Sequence, residues 1–204
     1  MNRKIAVSLC LIWLIVYNGH AQSPSNTIDS LKILIGSAKH DIHKVKLLLA
    51  LGDAYKEKTS DYPTAKYYYR QAGAISRDLQ YYRGMVAYLF DYSDALVQQG
   101  KYDSALVMSK EALSVATGEK DSASMVRALF DIGVSYSGSG NLTRAIHYFL
   151  LAKDYYENKK MMEMVGRCAN ELMLLFYQSK QYSQAVAYGK EAVTLQRKYG
   201  SVEK

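Results

Sequence analysis

Asp91, Asp131 and Glu171 stand 40 residues apart, and Arg127 and Arg167 precede the last two by four. On a helix, residues four apart share a face. The set therefore reads in two ways. Either each arginine neutralises an acid of its own helix or of a neighbouring one, the reading favoured here, or the acids form a strip for a basic ligand. Other residues with chemical potential are isolated. Gly138-Ser139-Gly140 lacks the Gly-Lys-Ser/Thr that completes a phosphate-binding loop, so it reads as a turn. His40 and His43 are the one close histidine pair; they fall in a connector and read as solvated side chains rather than zinc ligands. His147 belongs to a surface. Cys168 lies among apolar positions with no histidine near it in sequence, which predicts an inert buried thiol. No catalytic set, cofactor site or metal site emerges, and the expectation is a protein that binds rather than catalyses.

The elements that must position these residues begin after a leader. Arg3 and Lys4 precede an apolar run, Ile5 to Tyr17, followed by Asn18-Gly19-His20-Ala21. Residues 1–21 have the form of a cleavable secretory signal, and the run is too short for a comfortable membrane span. The expected location is periplasmic or secreted, with no membrane span in the mature chain. Losing Arg3 and Lys4 lowers the net charge of +7 by two, to +5. A mild excess of this kind in an exported protein argues solubility rather than nucleic acid. Cleavage also removes Cys10 and leaves Cys168 alone, so no intrachain disulfide forms and packing must make the core. Past Pro63 there is no proline to interrupt a helix, and 19 tyrosines against 4 phenylalanines suit half-buried helix seams.

Alanines at 65, 105, 145 and 185, and again at 72, 112, 152 and 192, mark a 40-residue internal repeat. Ahead of each pair runs an apolar stripe with steps of three and four: Leu48, Leu51, Tyr55; Met85, Leu89, Tyr92, Leu96; Met125, Leu129, Ile132, Tyr136; Val165, Ala169, Leu172, Phe176. Each unit thus predicts two amphipathic helices. Gly100 and Gly140 suit left-handed helix ends, and Asp61 and Asn141 suit caps of the following helices. The implied organisation is a signal at 1–21, a leader with a short helix at 22–43 (Ile28 to Ile35, then a connector Lys39 to His43), and a repeat domain at 44–204. Its units cover about 44–80, 81–120, 121–160 and 161–200, with the start of a further unit after them.

The pattern resembles the tetratricopeptide repeat family. Unit three carries Leu129, Ile132-Gly133, Tyr136, Gly140, Leu142, Ala145, Phe149 and Ala152. Unit one carries Leu51-Gly52, Tyr55, Tyr62, Ala65, Tyr69 and Ala72, with one extra residue in its turn. Units two and four depart from the pattern, with Ser93 and Met173 for the glycine and Ser109 and Gly189 for the aromatic. The resemblance implies an all-α, right-handed α-solenoid of helix hairpins. Its 40-residue period exceeds the family's usual length, and the surplus is expected to lengthen both helices and connections. With the leader, the chain also resembles the exported tetratricopeptide sensor regions of Bacteroidota two-component histidine kinases, although it carries no kinase motif.

The resemblance further implies a concave groove lined by the first helix of each unit: Lys46, Leu49, Asp53 and Lys56; Phe90, Asp94 and Gln98; Arg127, Phe130 and Val134; Arg167, Asn170, Leu174 and Tyr177. A protein or peptide is the expected occupant, and a sensory or interaction role in a signalling receptor the expected function. Leu49, Asp53 and Asp91 replace residues that the family's chaperone-binding carboxylate clamp requires, which argues against that ligand. A glycan- or nutrient-binding exported protein is the alternative, suggested by Tyr67-Tyr68-Tyr69, Tyr81-Tyr82 and Tyr155-Tyr156. The last helix, about Tyr182 to Tyr199, is expected to expose Val186, Val193 and Leu195 or their neighbours unless covered, self-association being one way to cover them.

Overall fold

A computed structural model describes residues 24–199. The expected signal and the expected start of a further unit lie outside the described residues. Among those described, the chain folds into nine helices and no strands: α1 Pro24–Ser37, α2 Ile42–Thr59, α3 Tyr62–Asp78, α4 Tyr82–Gln98, α5 Tyr102–Gly118, α6 Ser122–Gly138, α7 Leu142–Asn158, α8 Met162–Gln178 and α9 Tyr182–Tyr199. The fold is an α-solenoid of tetratricopeptide-type hairpins. Helix α2 begins at Ile42 behind an Asp41 cap, so Ile42 and His43, read from sequence as connector, belong to the first helix of unit one.

The helices repeat more regularly than the hairpins. From α2 onward each starts 20 residues after its predecessor, and from α3 to α8 each has 17 residues. Links between units are as short as links within them, so the surplus length resides in the helices, and the expected longer connections are absent. Each helix from α2 to α8 is followed, one or two residues beyond its last, by a residue with positive φ, at positions 60, 80, 100, 120, 140, 160 and 180. Beyond it the chain turns back on the helix. The Asn141 N–H donates to the Tyr136 carbonyl five residues earlier at 2.9 Å, whereas the Asp61 N–H reaches six residues back, to Tyr55, at 3.1 Å. The extra residue of unit one therefore sits in the last turn of α2. Side chains of Asp41, Asp61, Asp121 and Asn141 accept hydrogen bonds from backbone N–H groups of the helices they precede.

The repeated alanines lie where helices cross, and all eight are buried. Opposite them, each hairpin fits one small residue against one large one or two small ones together. Gly52 faces the buried Tyr69 ring, and a Cβ at Gly133 would stand 3.1 Å from Phe149. In unit two the same pair is Ser93 and Ser109, whose hydroxyls bond at 2.9 Å. In unit four the order reverses, with Met173 filling the space over Gly189. Each helix packs on its neighbours in sequence, and α2 also meets α4, and α4 meets α6. First helices thus approach one another across the units, which makes them the inner, concave layer.

Candidate functional site

A cleft of about 590 Å³ opens on the concave layer between α4, α6 and α8, closed at one end by Ala192 and Gln196 of α9. Six residues expected in the groove line it: Asp94, Gln98, Phe130, Val134, Arg167 and Asn170. Four carboxylates, of Asp94, Asp131, Glu163 and Glu171, share its wall with one cation, Arg167. The groove positions taken from the family register do not include Asp131, Glu163 or Glu171. The 40-residue spacing of Asp131 and Glu171 was the sequence signal that could have placed two of them.

The other expected residues lie elsewhere. Lys46 is exposed on α2, and Leu49 packs beneath that helix against the unit-one core. Asp53 accepts the Tyr69 hydroxyl at 2.7 Å and meets Lys56 at 3.6 Å, while Lys56 reaches Asp94 of the next unit at the same distance. Phe90 is only 4% exposed. The Arg127 guanidinium lies over its ring, 4.2 Å from the centroid, so Phe90 offers no face to a ligand and corrects the expectation. Its successor Phe130 stands edge-on to Phe149 at 5.1 Å, with Arg167 over it at 5.3 Å. Leu174 and Tyr177 project at the far end of the array, outside the cleft.

The stacked guanidiniums explain why the acids are only partly neutralised. Arg127 reaches Asp131 at 3.9 Å. Arg167 instead places a guanidinium nitrogen on the Met164 sulfur at 3.7 Å, and no Arg167–Glu171 ion pair is formed among the described residues. Burial pushes the Asp91 carboxyl up to about 7, with the charge of Asp53 adding to the effect and Lys56 and Arg127 opposing it. Burial likewise raises Asp131 to about 7 against the pull of Arg127, and raises Glu171. The cleft therefore holds one carboxyl, Asp131, that gains charge close to neutral pH, beside Glu171, whose charge Arg167 does not meet in an ion pair.

Cys168 is fully buried, and burial raises its thiol to about 12, which suits an inert core residue. His147 is exposed. Most of the tyrosine runs are packed rather than displayed: Tyr68 stacks on Tyr55, Tyr69 is fully buried, and Tyr156 is buried beside Tyr155. No helix among the described residues is long and apolar enough to cross a membrane.

The family model described as tetratricopeptide repeat matches residues 126–159, the stretch of α6 and α7 where the motif is most complete. No curated protein matches the chain in sequence. Among solved structures it is similar to aspartyl phosphate phosphatase F from Bacillus subtilis, with a TM-score of 0.78 and 20% identity over 87% of this chain and 46% of that one. A Rap protein complexed with competence and sporulation factor gives 0.73 and 19%, covering 85% and 50%. A signal transduction ATPase with a tetratricopeptide repeat sensor, from Pyrococcus horikoshii, gives 0.75 and 20%, covering 85% and 27%. At these identities the likeness is one of fold. The chain spans half or less of the length of each of these three proteins.

Proposed function

We propose that this chain is a non-catalytic scaffold that holds a segment of another protein in its concave cleft and prefers a segment carrying positive charge. The observation that carries the reading is an inversion of sign. A chain of net charge +7 lines this concave cleft with four carboxylates and one arginine. Low-dielectric walls focus such a field, and a lysine or arginine entering the cleft gains charge-assisted hydrogen bonds that the stacked Arg167 does not use. Phe130, Val97 and Val134 supply the apolar floor that a peptide backbone and its flanking side chains require. The leader supports action outside the cytoplasm, in the periplasm, and the resemblance to exported sensor regions supports a place in a signalling receptor. N-terminal sequencing of the protein expressed with its own leader tests the first of these; an intact Met1 would defeat it.

Binding is tested with labelled 12-residue peptides of matched length that carry lysine and arginine, only neutral residues, or glutamate. The basic peptide is expected to bind at least about tenfold more tightly than the neutral one, a difference of ~1.4 kcal/mol. The double variant Asp94→Asn, Glu163→Gln is expected to remove that margin; both residues are exposed, so the fold is retained. Affinity is expected to rise from pH 6 to pH 8 as Asp131 ionises in the cleft wall. Equal affinity for all three peptides would show that the cleft does not select charge.

A further inference from the structure

Three cations gather at the seam where α3 meets the end of α4, outside the concave cleft. The Lys66 side chain is 9% exposed. Its ammonium donates to the Gln99 amide oxygen at 2.7 Å and stands 5.9 Å from the centre of the Tyr92 ring. Arg70, one turn further along α3, donates to the Tyr92 hydroxyl from Nε at 3.0 Å and from Nη2 at 2.6 Å. Lys101 stands at the start of α5, two residues beyond Gln99. Burial lowers the Lys66 ammonium below its ordinary value, and the charges of Lys101 and Arg70 lower it further. Among the described residues none of the three cations forms an ion pair with a carboxylate. None of them lines the cleft.

The repeat shows that two of these cations stand where another residue type would serve the fold better. The counterparts of Lys66 in units two and three are Leu106 and Ile146, both partly buried against a hydrophobic cluster. The counterparts of Lys101 are Asp61 and Asn141, whose side chains cap the helices that follow. Lys101 caps nothing and sets a cation at the positive end of the α5 dipole. Both choices cost the folded chain unless a negative charge offsets them. The hydrogen-bonding capacity left over runs in one direction. The Tyr92 hydroxyl accepts twice from Arg70, and its own proton meets no acceptor among the described residues. Lys66, Arg70 and the Gln99 amide nitrogen also have donors to spare. A group that fits here must be negative and must accept from several sides.

We propose that this seam binds a phosphate group, free or at the head of a small phosphomonoester, with Lys66, Arg70, Lys101 and the Tyr92 hydroxyl as its donors. A phosphate group brings a charge of about −1.5 to −2 near neutral pH and three acceptor oxygens. That suits donors arriving from α3, α4 and the start of α5, whereas a carboxylate brings a single charge and fewer oxygens. The site does not depend on what the cleft binds. Calorimetric titration of the full chain at neutral pH and constant ionic strength is expected to give inorganic phosphate a Kd of about 1 mM or below, and acetate one at least about tenfold weaker. Lys66→Met puts an apolar side chain where Leu106 and Ile146 stand in the next units. It is expected to keep its helical circular dichroism, to unfold at the same or a higher temperature without phosphate, and to lose phosphate at least about tenfold. Tyr92→Phe keeps the ring and is expected to weaken phosphate about threefold. Glycerol 3-phosphate distinguishes the sources: tighter binding than inorganic phosphate assigns the site to a phosphomonoester, equal or weaker binding to free phosphate, and either supports it. The inference is overturned if phosphate does not saturate the chain by about 50 mM, if acetate binds as tightly, or if the two variants bind phosphate as the parent does.

Discussion

The four hairpin crossings show how single residues compensate one another. Gly52 and Tyr69, Gly133 and Phe149, Ser93 and Ser109, and Met173 and Gly189 occupy equivalent sites, and each pair fills the crossing differently. Units two and four depart from the family pattern in sequence because both partners of the pair changed, not because the crossing loosened. Unit four gives a test. Gly189→Phe alone crowds Met173 and is expected to cost about 1–3 kcal/mol. Met173→Gly alone opens a void and is expected to cost about 2–5 kcal/mol. The double variant is expected to be more stable than the sum of the two by about 1–2 kcal/mol in urea unfolding; strict additivity would mean that the residues do not share one space. The buried acids make a second test. Because the fold favours protonated Asp91 and Asp131, the native state binds more protons than the unfolded chain between the ordinary carboxylate value and about 7. Stability should therefore fall as pH rises across that window, by on the order of a few kcal/mol, and level off above it. The groups around them are Asp53, Lys56, Asp94, Arg127 and Arg167. Asp91→Asn with Asp131→Asn should flatten the profile between pH 5 and pH 8, and an unchanged slope would assign it to other groups. Sequence spacing revealed this ladder but not its ionisation, which depends on how far Arg127 and Arg167 swing onto Phe90 and Phe130.

Helices and turns were the most legible level. Alanine ladders and stripes of three and four gave the helices their faces, since a residue every seventh place along a 17-residue helix must meet its neighbour. The 20-residue helix step was less visible, because the links that enforce it have no common residue type. Their left-handed residue is glycine at 100 and 140 but Ser60, Gln80, Lys120, Lys160 and Lys180 elsewhere. A side chain at positive φ costs roughly 1–2 kcal/mol, and the N–H groups folded back over the helix end hold it there. Lys160→Gly is thus expected to raise stability by about 0.5–1 kcal/mol, and Gly140→Ala to lower it by about 1 kcal/mol; no Cβ clash arises at Gly140, so any loss there reports backbone strain alone. Thermal unfolding of the two variants decides the matter, and a loss of stability in Lys160→Gly would show that its side chain contributes more than its backbone strain costs. Connection length misled for a related reason: a period longer than usual does not say which element absorbs the surplus, and helices add hydrogen bonds with each residue where loops add only entropy.

At the scale of the whole molecule, the main contacts among the described residues run to neighbouring helices and, in the inner layer, to the next but one. Among the described helices none bridges the two ends. Stability in such an array approximates a sum of unit terms and interface terms, so a hairpin in the middle is held from both sides and an end hairpin from one. The leader helix α1 shields the first end by packing Ile28, Leu31 and Ile35 on α2 and α3, whereas α9 leaves Val186 and Val193 uncovered. Amide exchange should therefore be slowest in α5 and α6, and faster in α8 and α9 than in α2 and α3. Leu172→Ala, at a fully buried site of unit four, is expected to cost about 2–5 kcal/mol locally. It should speed exchange in α8 and α9 by more than tenfold while leaving α2 and α3 within about twofold, because only sub-global opening of that end is made easier. Uniform acceleration along the chain would instead mean that the hairpins unfold as one unit, with interface terms strong enough to couple both ends.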